Sequence, residues 1–263
     1  MFPYRYLKFC FLGLLISMVS PTLAQKYCKW GDKGTDHLLK TNLLNLPLKT
    51  FNLEYERSFR PNISIGEDVS FTPKRDVPFK GSIIDKITNE NAKKSVEETR
   101  FNQFSIIPQA RFYFGDRDVF TRFYTSPYIK YSRYQTSSTL FYNSNVVNTA
   151  NSTLIPIEVP ISGNINTLSA GIAVGLQFQI LKSLYLDWKI IGTHYGFLFG
   201  KGSGTSTQAL SENLQEEIRK SLQKLDDLPF YSFPHTVTQD RVELKPKGAN
   251  VGFTSAISVG YRF

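Results

Sequence analysis

The chain has 263 residues and a mass of 30.0 kDa, with 31 Lys and Arg against 22 Asp and Glu and a net charge of +9. Hydrophobic residues make up 41% and aromatics 14%, the latter carried by 21 Phe and 14 Tyr, a content that excludes a disordered chain. No internal run reaches the length of about 18 apolar residues that a membrane helix requires, and a total of two Cys excludes a disulfide scaffold.

Residues 1–24 read as a secretory signal. Arg5 and Lys8 supply the positive start, residues 9–19 a short apolar centre, and Thr22-Leu23-Ala24 a small-residue cleavage site before Gln25. The apolar run is too short to cross a bilayer, so an uncleaved anchor is the weaker reading. Cleavage leaves a mature chain of 25–263 and removes Arg5 and Lys8, lowering the net charge to +7. Cys10 leaves too, so Cys28 has no internal partner and is expected as a free thiol. Gln25-Lys26-Tyr27 lacks the small residues that a lipoprotein signal places before its Cys.

The mature chain alternates with period two. Noisy strand segments lie at 37–45, 49–59 and 62–72, joined by Asn45-Leu46-Pro47-Leu48 and by Arg60-Pro61, and a long connection follows at 73–101. In the segment at 102–114, Phe104, Ile106, Pro108, Ala110, Phe112 and Phe114 oppose Gln103, Ser105, Gln109, Arg111 and Tyr113. A short turn leads to a strand at 120–134. Pro108 and Pro127 are expected approximately opposite each other in this hairpin; neither has an N–H, so the ladder should thin there. A second long loop is expected at 135–165. Its Asn151-Ser152-Thr153 matches a glycosylation sequon, which alone carries little weight.

The clearest strand spans 166–181. Leu168, Ala170, Ile172, Val174, Leu176, Phe178 and Ile180 share one face; Thr167, Ser169, Gly171, Ala173, Gly175, Gln177 and Gln179 share the other. Its length is well beyond the five or six residues usual in soluble sheets, and it satisfies the roughly 9–11 residues a tilted membrane strand needs. Leu181-Lys182-Ser183 as a three-residue turn keeps Ile180 and Leu184 on one face. In 184–198, Leu184, Leu186, Trp188 and Ile190 oppose Tyr185, Asp187, Lys189 and Thr193, which puts His194 on the outward phase.

The third long loop, 199–248, opens with Gly200-Lys201-Gly202-Ser203-Gly204, which resembles a phosphate loop only superficially because no strand-to-helix context follows. Within it, Leu210, Leu214, Ile218, Leu222 and Leu225 recur at helical spacing over 207–228, with Glu212, Glu216 and Glu217 early, Arg219, Lys220 and Lys224 late, and Pro229 as the stop. This amphipathic helix either caps the mouth of the fold or docks a partner. The last strand places Val251, Phe253, Ile257, Val259, Tyr261 and Phe263 on one face, with Ser255 as a polar intruder. Asn250, Gly252, Thr254, Ala256, Ser258, Gly260 and Arg262 take the other.

Eight strands with short links on one side and long links on the other predict an all-β fold, an eight-stranded antiparallel transmembrane β-barrel with an extracellular loop helix. Two domains follow: the signal at 1–24 and the barrel at 25–263, with long loops at 73–101, 135–165 and 199–248. On this phasing Glu54, Glu56, Asp68, Arg111, Arg122, Lys130, Asp187, Lys189 and Arg262 point inward as a set of buried ion pairs. An eight-stranded barrel has room only for its own side chains, so a diffusion pore is not expected. Tyr113, Tyr124 and Tyr185 would obstruct a gated ion path.

Candidates for chemistry are sparse. His37, His194 and His235 have no sequence neighbours arranged to orient them, and no spacing of His, Cys or carboxylates reads as a metal site. No catalytic, cofactor-binding or metal residue is assigned, and no cofactor is expected.

Lys40-Thr41-Asn42-Leu43-Leu44, then Phe51-Asn52-Leu53-Glu54-Tyr55-Glu56 and Ile63-Ser64-Ile65-Gly66, resemble the opening of an uncharacterised family of small outer-membrane barrels common in Bacteroidetes. Phe123-Tyr124-Thr125-Ser126-Pro127-Tyr128-Ile129-Lys130-Tyr131 and the closing Val259-Gly260-Tyr261-Arg262-Phe263 resemble it as well. The terminal Phe, with an aromatic two residues before it, is similar to the signal read by the barrel-assembly machinery. The resemblance covers the strands, about half of the mature chain, and not the long loops. It implies an outer-membrane location in the cell envelope, OmpA-like and OmpX-like architecture, and no known catalytic residues. The expected role is therefore structural or surface-binding, through the extracellular loops, and non-enzymatic. The expected partners are outer-membrane lipid and lipopolysaccharide, the barrel-assembly machinery, and an extracellular protein or glycan ligand, but no nucleic acid. The alternatives are a lipid-modifying outer-membrane enzyme using His194 and an accessory subunit of a secretion or uptake complex.

Overall fold

A computed structural model describes residues 36–115, 119–148, 153–206, 208–223 and 230–263. The signal segment, Cys28, Asn151 and Ser152, and residues 207 and 224–228 of the expected helix lie outside the described residues.

Eleven strands form one antiparallel sheet. The long ones are β1 (His37–Asn42), β2 (Phe51–Arg60), β3 (Ile63–Asp76), β4 (Arg100–Tyr113), β5 (Phe123–Asn148), β6 (Thr153–Gln179), β7 (Leu184–Thr205) and β11 (Lys247–Arg262). Each pairs with its sequence neighbour from β1 to β7; β11 then pairs with both β7 and β1. Among the described residues these eight strands therefore close into a ring. Three short strands, β8 (Tyr231–Ser232), β9 (His235–Val237) and β10 (Arg241–Leu244), add to β11 and to the far end of β7.

The short links at Pro61-Asn62, around Gly115 and at Leu181-Lys182-Ser183 lie at one end of the ring together with its two termini. There His37 and Phe263 exchange backbone hydrogen bonds of 3.3 and 3.0 Å. Ile180 N–H donates to Leu184 O at 2.8 Å, so Leu181-Lys182-Ser183 forms the turn as the register required.

The opposite end is taller on one side. β5, β6 and β7 run for 26, 27 and 22 residues, so most of the segment expected as a loop at 135–165 is a continuation of the β5–β6 hairpin. Its physical reason is that Thr, Ile and Val persist there and the antiparallel ladder needs only alternation, not high hydrophobicity. On the inner face of this wall lies helix α3 (Glu212–Gln223), following α1 (Lys80–Ile84) and α2 (Glu90–Glu98). Leu210, Leu214 and Ile218 bury against Ile157, Val159, Val237 and Val242, with Leu140, Tyr142 and Leu222 packed around them. The helix thus packs on its own sheet extension through Leu210, Leu214, Ile218 and Leu222. Burial pushes the Tyr142 hydroxyl above the usual tyrosine range, with the nearby Glu217 charge adding to it.

Side chains alternate as the period-two pattern requires. On β6, Thr167, Ser169, Ala173 and Gln177 are buried while Leu168, Ile172 and Phe178 are exposed. The small inward residues have a specific cause: a Cβ at Gly171 would collide with the Tyr128 ring and one at Gly175 with the Tyr124 ring, each ring belonging to the glycine's own ladder partner on β5 and lying over this strand. Outside, Leu53, Ile65, Phe104, Ile129, Ile172 and Phe253, from six different strands, all project outward, Phe253 at 75% exposure.

Two local expectations are corrected. β7 carries a bulge: Val174 pairs with Ile191 but the next residue, Gly175, pairs with Lys189, and β11 shifts at the same place between Thr254 and Ala256. One extra residue reverses the alternation. Before it Tyr185, Asp187 and Lys189 face inward; after it Gly192, His194 and Gly196 do, so Thr193 is outward and His194 is inward, the reverse of the sequence reading. Pro108 and Pro127 are not opposite each other. The β4–β5 register pairs Gln109 with Tyr128, so the prolines sit diagonally; the ladder does thin beside them as expected, passing over Ile107, Pro108, Ala110 and Arg111, while the register stays constant from Arg100 to Tyr113.

Candidate functional site

The interior is built in layers. At the end with the short turns, Leu38, Tyr113, Val119, Phe120, Tyr124 and Tyr185 form a buried cluster. Phe120 comes from the β4–β5 connection, which turns into the ring with a left-handed φ of 73°. Its ring meets Tyr113 and Tyr185 edge-on at 6.4 and 6.3 Å, and the Arg262 guanidinium lies 5.3 Å from its centroid. Arg262 also donates to the Tyr185 hydroxyl at 3.0 Å.

Above this floor is a charged layer contributed by four strands. Lys40 of β1 places Nζ 2.8 Å from Glu54, 2.6 Å from Glu56 and 2.8 Å from Asp187. Arg111 of β4 reaches the same three carboxylates, pairing with Glu54 through Nη2 and lying 2.6 Å from Asp187 and 3.4 Å from Glu56 through Nη1. Its guanidinium also stacks 4.3 Å from the Tyr124 ring centroid. Two cations ion-pair with three carboxylates, and the remaining negative charge lies within the field of buried Lys189 on β7. Neutral donors share it: Tyr113 and Ser64 donate to Glu56, Tyr124 to Asp187 at 2.8 Å, and Gln109 to Glu54 at 2.7 Å. Gln177 Oε1 lies 2.7 Å from the Tyr113 hydroxyl and so ties β6 into the same network.

Glu54, Glu56 and Asp187 lie close enough together to ligate a metal ion. Lys40 Nζ, however, already sits within hydrogen-bonding distance of all three. The cluster carries its own cation, and its chemistry is that of a lock between strands far apart in sequence rather than of a metal centre.

The inward charges expected from the sequence are brought together only in part. Glu54, Glu56, Arg111 and Asp187 form the cluster, whereas Asp68 accepts from Asn52 on the neighbouring strand. Lys130 and Lys189 face the interior on β5 and β7. Arg122 lies in the turn before β5 rather than within the strand, donating to Phe114 O at 3.3 Å. Lys40, which touches all three carboxylates, was not among the expected inward charges. The paired leucines at Leu38-Leu39 and Leu43-Leu44 blur the phase of β1. The available signal was the surplus of inward carboxylates on the neighbouring β2, which calls for a cation beside it.

His194 is 9% exposed and directed into the ring, with Nδ1 3.3 Å from the Tyr128 hydroxyl, which itself donates to Thr193 O at 3.2 Å. Gly252 on β11 faces the other side of its ring. His37 lies at the opposite end against Tyr55 and Phe263, and His235 near Phe233, so the three histidines share no site.

A closed antiparallel ring of eight strands, apolar outside and filled by an ionic and aromatic core, defines an all-β protein. The chain belongs to the family described as protein of unknown function (DUF3575), whose model matches residues 14–217, from the N-terminal apolar segment through β7 and into α3. Comparison with curated proteins and with solved structures gives no match.

Proposed function

We propose that this chain is an outer-membrane protein: the eight-stranded ring is a transmembrane β-barrel of OmpA-like and OmpX-like architecture, and its role is structural or surface-binding rather than enzymatic. The observation that carries this reading is the inversion of polarity across the ring. Charged and hydrogen-bonded groups such as Arg111 and Lys40 are fully buried inside, while Phe253, Phe197 and Val251 stand exposed at 75%, 67% and 61% outside. In water that surface would be an aggregation hazard; in hydrocarbon it is the favourable face, and a closed ring leaves no unpaired backbone at its edges. The secretory signal expected at 1–24 supports delivery to that membrane.

The interior network opposes a channel role, because side chains fill an eight-stranded barrel. The inward turn of His194 weakens the reading as a lipid-modifying enzyme, which would place that imidazole toward the acyl chains. The surface role then falls to the parts beyond the lipid: the tall β5–β7 wall with α3, and the α1–α2 connection.

Cell fractionation with a heat-modifiability gel tests the reading. The expected outcome is recovery in the outer-membrane fraction and a faster-migrating band without boiling. Recovery as a soluble protein with one mobility would overturn it.

A further inference from the structure

Where the outward face of the ring changes from apolar to polar, three cations converge on one cleft. We infer that this cleft binds the phosphorylated headgroup of an anionic glycolipid in the outer leaflet; the inference rests on the membrane reading above and deepens it.

The change occurs at one level in adjoining strands. Tyr131 pairs with Leu168 and Leu168 with Phe197; one step further, Arg133 pairs with Asn166 and Asn166 with Phe199; one step further still, Gln135 pairs with Asn164 and Asn164 with Lys201. These residues share the outward phase, so the side chains pass from rings and leucine to amide, guanidinium and ammonium within about 14 Å along the strands. Aromatic rings at this transition are what a lipid interface favours, and Tyr131 donates its hydroxyl to Asn166 at 3.0 Å there.

Just beyond, a cleft of about 670 Å³ is lined by Arg133, Gln135, Asn164, Lys201, Ser203 and Lys245, among others. Among the described residues none of its three cations forms an ion pair. The carboxylate in its wall, Glu243, is held by Arg241 at 3.1 Å. Uncompensated cations call for an anionic partner, and the amides and hydroxyls between them suit sugar hydroxyls. A phosphate held here would keep its acyl chains beside Phe197 and Phe199. Glycolipid rather than free anion is favoured by this continuity with the exposed apolar face.

The test uses purified full-length protein in phosphatidylcholine nanodiscs, titrated with diphosphoryl lipid A, with the same lipid after removal of its phosphates, and with inorganic phosphate, bound species being read by native mass spectrometry. Diphosphoryl lipid A is expected to bind at least about tenfold more tightly than the dephosphorylated lipid, since each cation near the membrane surface adds to the attraction of anionic lipid. The triple variant R133A/K201A/K245A is expected to lose that preference, whereas K86A/K94A/K220A, with equal charge removed elsewhere, keeps it. Equal binding of both lipids, an unaffected triple variant, or saturation by inorganic phosphate alone would overturn the proposal. The same preparation run unheated separates the two failures: a heat-modifiable barrel without phosphate preference defeats this inference alone, and a chain that never inserts defeats the membrane reading with it.

Discussion

Lys40 and Arg111 show how a single side chain can tie together strands remote in sequence. Lys40 bridges to Asp187, 147 residues away, across the seam where β1 meets the end of the chain. Removing one partner of a buried ion cluster leaves the others desolvated and unpaired, which typically costs about 3–5 kcal/mol. Lys40→Met is therefore expected to lower the unfolding free energy by about that amount, measured by urea titration in detergent micelles. Adding Asp187→Asn to the same chain should recover part of the loss, because it removes one of the three stranded carboxylates. An unchanged midpoint for Lys40→Met would show that the cluster contributes nothing to closure. His194 carries the complementary lesson: its residue type is visible in the sequence, but the face on which it stands depends on a neighbour four positions away.

That neighbour belongs to the β7 bulge. The extra residue at Ile190-Ile191 lets Asp187 and Lys189 face inward below it and Gly192, His194 and Gly196 face inward above it. Deleting Ile190 removes the extra residue and restores strict alternation with the faces unchanged, Asp187 and Lys189 inward below it and Gly192, His194 and Gly196 still inward above it. Such a chain is expected to assemble, seen as retention of the heat-modifiable band; loss of that band would mean that the bulge itself is required. The α3 element predicts a local outcome. Ile218, 1% exposed, anchors the helix to the β6 and β10 wall. Ile218→Ala is expected to cost about 2–4 kcal/mol of local docking. Limited proteolysis should then cut within 208–223 while the ring stays heat-modifiable. If cleavage there is no faster than in the unaltered chain, the helix is not held by this contact.

At the scale of the whole molecule, the outward apolar belt sets what medium the ring can occupy. With Trp188→Phe and Trp30→Phe removing the native indoles, Phe253→Trp supplies a single reporter on that belt. Its fluorescence is expected to be strongly quenched in vesicles of brominated lipid, and insensitivity to the brominated lipid would place the belt outside hydrocarbon.

Period-two alternation was legible wherever the ring is regular: 166–181 and the final strand assign their own faces, because side-chain direction in a strand follows from local geometry alone. The same local rule yielded Glu54, Glu56, Arg111 and Asp187 as inward groups and the amphipathic stripe of α3. It failed at three kinds of place. A bulge inserts one residue without any local signature and reverses everything after it. The extension of β5 and β6 depends on ladder partners rather than on hydrophobicity. The phase of β1, and with it the role of Lys40, is set by pairing with β11 at the far end of the chain. The sequence by itself thus determined which residues alternate and which segments turn. Only the tertiary structure decided which side of each strand is inside and which charges meet, because ring closure and register are long-range pairings that short-range periodicity does not encode.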